Sequence, residues 1–353
     1  MLIYVSTLVM IGLYSIGFNI LRSLTRDTKK LKIFFVSLAT IQLILLLSLR
    51  HYTIGSDAPV YVTYFLSMPQ YSSFEALLLG HRFEIGYKLL NKLISIFTTN
   101  EQIFLTVIAC ISIIPVGILI YKHSKMPFLS FAIYITFNYY SFVFSGLRQA
   151  IGYAIIFISY NFIKDRKLVK FILCVLIAAS FHKSALMFLP AYFLANLKLN
   201  KFTISGILLF NIIMFVFREQ IFGTIISTFY NNYEIVSSLS FTWMLVCSLI
   251  VICGLFFYKS VLLISQKNNI LYMLVIIGAS LMIFSSVGTN VMRVADYYYM
   301  FVMLFIPEVM NAVKDKRIIL IGGYILIILI LILYIWFLKG DGYSIVPYRF
   351  FWE

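Results

Sequence analysis

Seven ionisable side chains in this sequence stand beside long apolar runs: Arg50, Asp57, Glu84, Arg148, His182, Arg293 and Asp296. A charge at membrane depth is costly, so each marks a candidate site. Arg148 lies in Ser145-Gly146-Leu147-Arg148-Gln149-Ala150-Ile151-Gly152, and on a helix Ser145, Arg148 and Gly152 share a face. No acid is near it in sequence, which favours an anionic ligand or a distant partner. His182 separates the apolar runs 168–181 and 184–197. Fourteen helical residues span about 21 Å, short of a hydrocarbon core of about 30 Å, so the hairpin tip should be submerged. A histidine there suits proton transfer near neutrality; its plain alternative is a satisfied turn residue. Asp57 follows Gly55-Ser56 in a short polar turn after Arg50, either at a cavity mouth or simply solvated. Arg293 and Asp296 are spaced to pair with each other.

Arginine binds phosphate oxygens through a planar fork and stays charged. Such residues can stabilise a leaving diphosphate, while a histidine or carboxylate takes the proton of an attacking hydroxyl. The sequence has no Asp-x-Asp, no His-x-x-x-His, no paired cysteines at ligand spacing and no Walker-type loop. Neither a metal nor another cofactor is therefore expected.

The elements that must position these groups are membrane helices. Of 353 residues, 62% are apolar and 12% charged, far from the roughly 45–50% and 25% of soluble domains. Apolar runs fall at 2–21, 33–49, 101–121, 127–145, 147–163, 168–181, 184–197, 202–217, 241–258, 270–287, 297–313 and 318–338. The reading is an all-α, polytopic membrane protein of about 12 transmembrane helices, one integral domain over 1–353. The net charge of +15 is spread in short clusters between the runs, so no nucleic-acid partner is expected. Cys110, Cys174, Cys247 and Cys253 sit within apolar runs as small buried residues. Met1 to Leu21 reads as a retained span.

The basic loops 22–32, 164–170 and 314–317, with six further lysines, place 18 of 28 basic residues on the cytoplasmic side. Both termini then lie outside, and 83–121 crosses only once. Within Glu84 to Phe97 an apolar stripe at 85, 89, 93, 96 and 97 opposes a polar one, predicting an interfacial helix in an outer segment about 50–100. Further outer segments are predicted at about 218–240 and 288–296, and the tail 339–353 at the outer interface.

The ordered set Arg50…Gly55-Ser56-Asp57…Tyr61, Phe83-Glu84-Ile85-Gly86-Tyr87, Gly146-Leu147-Arg148-Gln149, Ala178…Phe181-His182-Lys183-Ser184-Ala185 and Arg293…Tyr297-Tyr298 resembles the EpsG family of Wzy-like bacterial polysaccharide polymerases. The resemblance covers about residues 40–300. Ser56 stands where the family often has Thr. It implies a GT-C-like polymerase/ligase architecture in the inner (cytoplasmic) membrane, with the active site facing outward. The implied substrate is undecaprenyl-diphosphate-linked oligosaccharide, with membrane lipid around it and a chain-length regulator and a flippase as partners. By motif, Arg50, Arg148 and Arg293 would bind diphosphate. His182, Asp57 and Glu84 would activate the acceptor, and Gln149, Tyr61 and Tyr297 would make other substrate contacts. A ligase of the O-antigen type would share these residues, but the late outer loop 218–240 is short for one. A lipid-linked glycan transporter or flippase would spread its charges through the membrane with inverted repeats, and no repeat is evident.

Overall fold

The computed structural model describes residues 1–24, 27–78, 83–229, 241–286 and 289–353. His81 and Arg82, set beside Glu84 in the sequence, and residues 230–240 of the predicted outer loop lie outside the described residues. In chain order the helices are α1 Leu2–Leu24, α2 Thr28–Ser48, α3 Ala58–Ser67, α4 Ser73–Leu78, α5 Ile85–Phe97, α6 Glu101–His123, α7 Pro127–Thr136, α8 Tyr139–Ser145, α9 Leu147–Lys164 and α10 Leu168–Phe181. They continue as α11 Ala191–Leu194, α12 Lys201–Val216, α13 Arg218–Phe229, α14 Phe241–Phe256, α15 Tyr258–Ile264, α16 Asn269–Leu281, α17 Thr289–Tyr299, α18 Val302–Ala312 and α19 Lys316–Gly340. Among the described residues there is no strand, only an isolated antiparallel bridge between Arg50 and Phe350.

Five helical stretches are long and apolar enough to cross a membrane, and seven if the bent pairs α7–α8 and α14–α15 each count as one span. The chain is thus a multi-pass membrane protein, with fewer full-length spans among the described residues than the twelve apolar runs. The runs exist, but several are broken. Asn138, at φ 68°, separates α7 from α8, which meet at 51°. The run 184–197 is not a helix of fourteen residues but a 3₁₀ turn, Lys183–Phe188, followed by the four-residue α11. Pro190 between them disfavours helical backbone in the residue before it. The predicted outer segment 288–296 is mostly helical, as part of α17.

Side-chain caps start the main helices. Asp27 accepts from the Lys30 N–H ahead of α2, and Asn100 accepts from the Gln102 and Ile103 N–H groups ahead of α6. Their outward apolar residues, such as Phe34 and Ile41 on α2, stay exposed because their solvent is lipid.

The chain forms two compact units, each described on its own: 1–161, 172–186 and 315–353, and 162–171 with 187–314. The first is organised on the α2/α6 pair, where Phe35, Ala39 and Leu43 of α2 are buried along with Ile108, Ile113 and Ile120 of α6. Gly117 permits the close crossing, since a Cβ there would lie 3.3 Å from Thr40 Cβ. The second unit has α16 at its core, where the Tyr272 hydroxyl donates to Gly254 O at 2.8 Å and Asn268 Nδ2 to Glu308 Oε1 at 2.8 Å.

One end of the first unit gathers the start of α1, the residues after α2, the start of α6 and the tail after α19. Tyr4 Oη donates to Ile345 O at 2.6 Å, Gly55 N to Ser344 O at 3.0 Å and His51 N to Arg349 O at 2.9 Å. The sequence-derived sidedness makes a direct prediction here. On a cysteine-free background, single cysteines at exposed positions 28, 165 and 314 should resist an impermeant thiol reagent in intact cells or spheroplasts. Those at 72 and 342 should react, and labelling at 165 from outside would reverse the assignment.

Candidate functional site

The predicted outer segment holds three helices, α3, α4 and α5, instead of one. In α5 the polar face of the predicted interfacial helix meets the protein and not water. Its apolar stripe, Ile85, Leu89, Leu93, Ile96 and Phe97, is exposed, while Tyr87, Lys88, Asn91 and Ile94 are buried. The polar face therefore turns into the protein and the apolar face outward. Lys92 explains part of this: its ammonium donates to Met68 O at 3.2 Å and Tyr71 O at 2.6 Å, satisfying carbonyls at the end of the turn after α3. Lys88 is only 8% exposed.

At the N-cap of α5 stands Glu84, and it collects partners from two distant segments. Arg148 Nη1, at the start of α9, donates to Glu84 Oε2 in a tight ion pair. The Lys183 N–H donates to Glu84 Oε1 at 3.2 Å. His182 Nδ1 lies 3.5 Å from the same oxygen, at the outer edge of hydrogen-bond reach and without a formed bond. Arg148 Nε donates to the Tyr61 hydroxyl at 3.3 Å, and its guanidinium lies over the Phe83 ring at 4.9 Å. The distant acid that Arg148 lacked in sequence is thus 64 residues away.

Side-chain exposure rises across the cluster, from 10% at Glu84 to 15% at Arg148 and 26% at His182. His182 is the member most open to a ligand. Burial opposes ionisation of Glu84, but the nearby His182 and the Arg148 charge outweigh it and take its carboxyl down to about 2. Glu84 stays a carboxylate at any working pH and is a poor proton acceptor.

Two glycines allow these approaches. Gly86 sits where a Cβ would lie 2.8 Å from Ser180 O, so α5 and the end of α10 touch backbone to side. Gly55, at φ +106°, sits where a Cβ would lie 2.7 Å from the Phe144 carbonyl carbon. Gly86→Ala should push α5 from α10, lower stability by about 1–3 kcal/mol and separate Glu84 from His182. Thermal melting together with turnover of the purified protein checks this; unchanged melting and turnover would show that the contact yields freely.

The other predicted residues take different positions. Asp57 caps α3 without a side-chain cap bond; its N–H donates to Ser145 Oγ at 3.3 Å, and the Ser56 and Ser145 hydroxyls are 2.5 Å apart. This ties the Gly-Ser-Asp turn to the residue three before Arg148. Gln149 points inward, donating to Tyr153 Oη at 2.7 Å. Arg50 is 1% exposed, donates to Phe144 O at 2.7 Å and packs on the Phe144 ring at 5.0 Å, under the tail. Burial pushes its guanidinium down to about 10, so it remains charged at neutrality. In this conformation it is closed to a diphosphate. Arg293, Asp296 and Tyr297 lie on α17 in the second unit, with Tyr297 buried and the two charges partly so.

Sequence reasoning missed Phe83, Tyr64 and Tyr87 as the aromatic wall of this cluster. Tyr64 meets Phe83 at 4.4 Å and Tyr61 meets Tyr87 at 5.5 Å between ring centres. The signal was present in the aromatics at 61, 64, 83 and 87. Among the described residues no group of three His, Cys, Asp or Glu is placed to hold a metal ion.

The described residues thus form an all-helical, multi-pass membrane protein with an arginine, a carboxylate and a histidine gathered at one end of the first unit. The chain belongs to the EpsG family, whose model matches residues 32–350. That is a family of Wzy-like polysaccharide polymerases and glycosyltransferases, which points to glycosyltransferase-type activity on a lipid-linked glycan in the membrane. No curated protein and no solved structure matches the chain.

Proposed function

We propose that this protein polymerises a glycan by moving the growing chain from undecaprenyl diphosphate onto a lipid-linked repeat unit, at the outer leaflet of a bacterial cytoplasmic membrane. The Glu84–Arg148–His182 cluster carries this reading. His182 Nε2 takes the proton of the acceptor hydroxyl as its oxygen bonds to the anomeric carbon of the donor sugar. The bond from that carbon to the diphosphate oxygen breaks, and the leaving diphosphate gathers its charge on Arg148. Glu84 acts through its neighbours: it faces the Nδ1 side of His182 and aims Arg148. The 3.5 Å separation is typical of a catalytic contact that tightens when substrate binds. Tyr61 and Gln149 flank the cluster, and Asp57 is the second candidate for the base. Arg50 positions the turn that carries Asp57. The roles of Arg293 and Tyr297 rest on the family's closing motif. A GT-C-like arrangement, about twelve spans, a flippase that delivers the substrate and a chain-length regulator complete the proposal.

The Arg148 guanidinium takes the place of a metal in this scheme, because the sequence lacks an Asp-x-Asp and offers an arginine instead. Purified protein given lipid-linked repeat units should form a polymer ladder that persists in excess EDTA. A ladder that disappears with EDTA and returns with Mg²⁺ or Mn²⁺ would refute the arginine scheme; no ladder under any condition would refute the polymerase.

A further inference from the structure

The end of the first unit opposite the cluster holds a cavity of about 750 Å³ between α1, α2, α6 and α7. Five basic residues line it: Arg22, Lys29, Lys32, Lys122 and Lys125. Among the described residues no Asp or Glu lines it; Asp27 nearby is held by Lys30 at 3.0 Å. Lys32 is partly buried there, its ammonium donating to Ser124 O at 2.8 Å and lying 5.6 Å from the centre of the Tyr121 ring. The 21 residues of α2 separate this end from Arg50, about 31 Å along the axis and close to the thickness of a bilayer core. Five like charges around one concave space repel each other, so the site favours an anion.

A second hollow of about 250 Å³ adjoins it and shares Phe18 and Phe35. Its other walls are apolar, among them Leu21, Phe34 and Leu38. Gly17 forms part of its floor, and a Cβ at that position meets nothing within 4 Å. Phe34 and Leu13 are largely exposed beside it, so the hollow opens sideways toward lipid. A charged cavity beside a lateral apolar cleft, the two sharing the packed Phe18 and Phe35 rings, matches a molecule with a phosphate head and a hydrocarbon chain. A free anion would leave the cleft unused, and an acidic peptide would have to reach membrane depth.

We infer that this is a binding site for an anionic glycerophospholipid, its phosphate among the five basic residues and the upper part of an acyl chain in the cleft between α1 and α2. The site is independent of the transfer reaction proposed for the other end.

The test uses the full chain in nanodiscs containing equal phosphatidylglycerol and phosphatidylcholine, followed by detergent extraction and measurement of retained lipid by native mass spectrometry. The native chain should retain phosphatidylglycerol about tenfold over phosphatidylcholine. A triple variant Arg22→Gln, Lys32→Gln, Lys125→Gln, checked by monodispersity and melting, should lose that preference. Gly17→Phe fills open space, so it should fold normally and weaken lipid retention several-fold while leaving the affinity for inorganic phosphate unchanged. Equal retention of the two lipids, or undiminished preference in the triple variant, would overturn the inference. So would inorganic phosphate competing as well as phosphatidylglycerol, which would make this a free-anion site. Displacement of phosphatidylglycerol by a polyprenyl phosphate but not the reverse would overturn it too.

Discussion

Replacing His182 by alanine should lower turnover by about 10²–10⁴-fold, the usual range for loss of a general base. Binding of the lipid-linked unit should persist, because Arg148 and its Tyr61 and Phe83 supports remain in place. Glu84 keeps the Arg148 charge and the Lys183 N–H, so the variant should fold. His182→Gln retains hydrogen bonding but cannot carry the proton, and should be nearly as poor. If His182→Gln keeps much of its activity while Asp57→Asn is dead, the proton goes to Asp57 and His182 only positions a sugar. Ladder length and lipid-linked substrate binding, measured side by side on the three variants, separate these outcomes.

The second large effect is expected at Arg148. Arg148→Lys keeps a positive charge for Glu84 but replaces the planar fork with a point charge, and it loses the stacked geometry over Phe83. We expect kcat/KM to fall by at least about 10²-fold, the scale of a lost charge-stabilising donor. Arg148→Ala is a worse probe, because it leaves Glu84 charged and unpaired, a change that costs about 3–5 kcal/mol at buried sites. The Lys variant should melt close to the native protein, and its loss should lie chiefly in kcat, because the diphosphate develops its charge in the transition state. Near-native turnover for Arg148→Lys would reduce Arg148 to a structural counter-ion of Glu84.

The local content of the site was legible in the sequence. Arg148, Glu84 and His182 were identifiable as costly charges beside apolar runs. Their assembly was not, because periodicity carries no information about contacts between residues 64 and 99 positions apart. The exposed apolar stripe of α5 is the one expected of an interfacial helix; that its opposite, polar face packs into the protein was not legible. In water the apolar stripe of a helix turns inward, but beside hydrocarbon it can turn outward and leave Lys88, Asn91 and Lys92 to find protein partners. The span count was blurred by breaks such as Asn138, which hydropathy does not register. Arg50 looked accessible because the segment that covers it, around Phe350, comes 300 residues later.

That cover has a consequence for how the protein is made. Leu49 O accepts from the Phe351 N–H at 2.9 Å, and Ser56 N donates to Tyr343 O at 2.9 Å. The turn that holds Asp57 is therefore completed by residues about 290 positions further along the chain, synthesised long after it. At roughly 5–20 residues per second, tens of seconds pass between emergence of that turn from the ribosome and arrival of its lid. Throughout that interval the Arg50 charge has no tail above it, and insertion into the membrane must proceed with this corner unfinished. Assembly of the helices and maturation of the site are thus separate events in time. A polypeptide halted before about residue 340 would be threaded through the bilayer and yet lack the strap that closes its first turn.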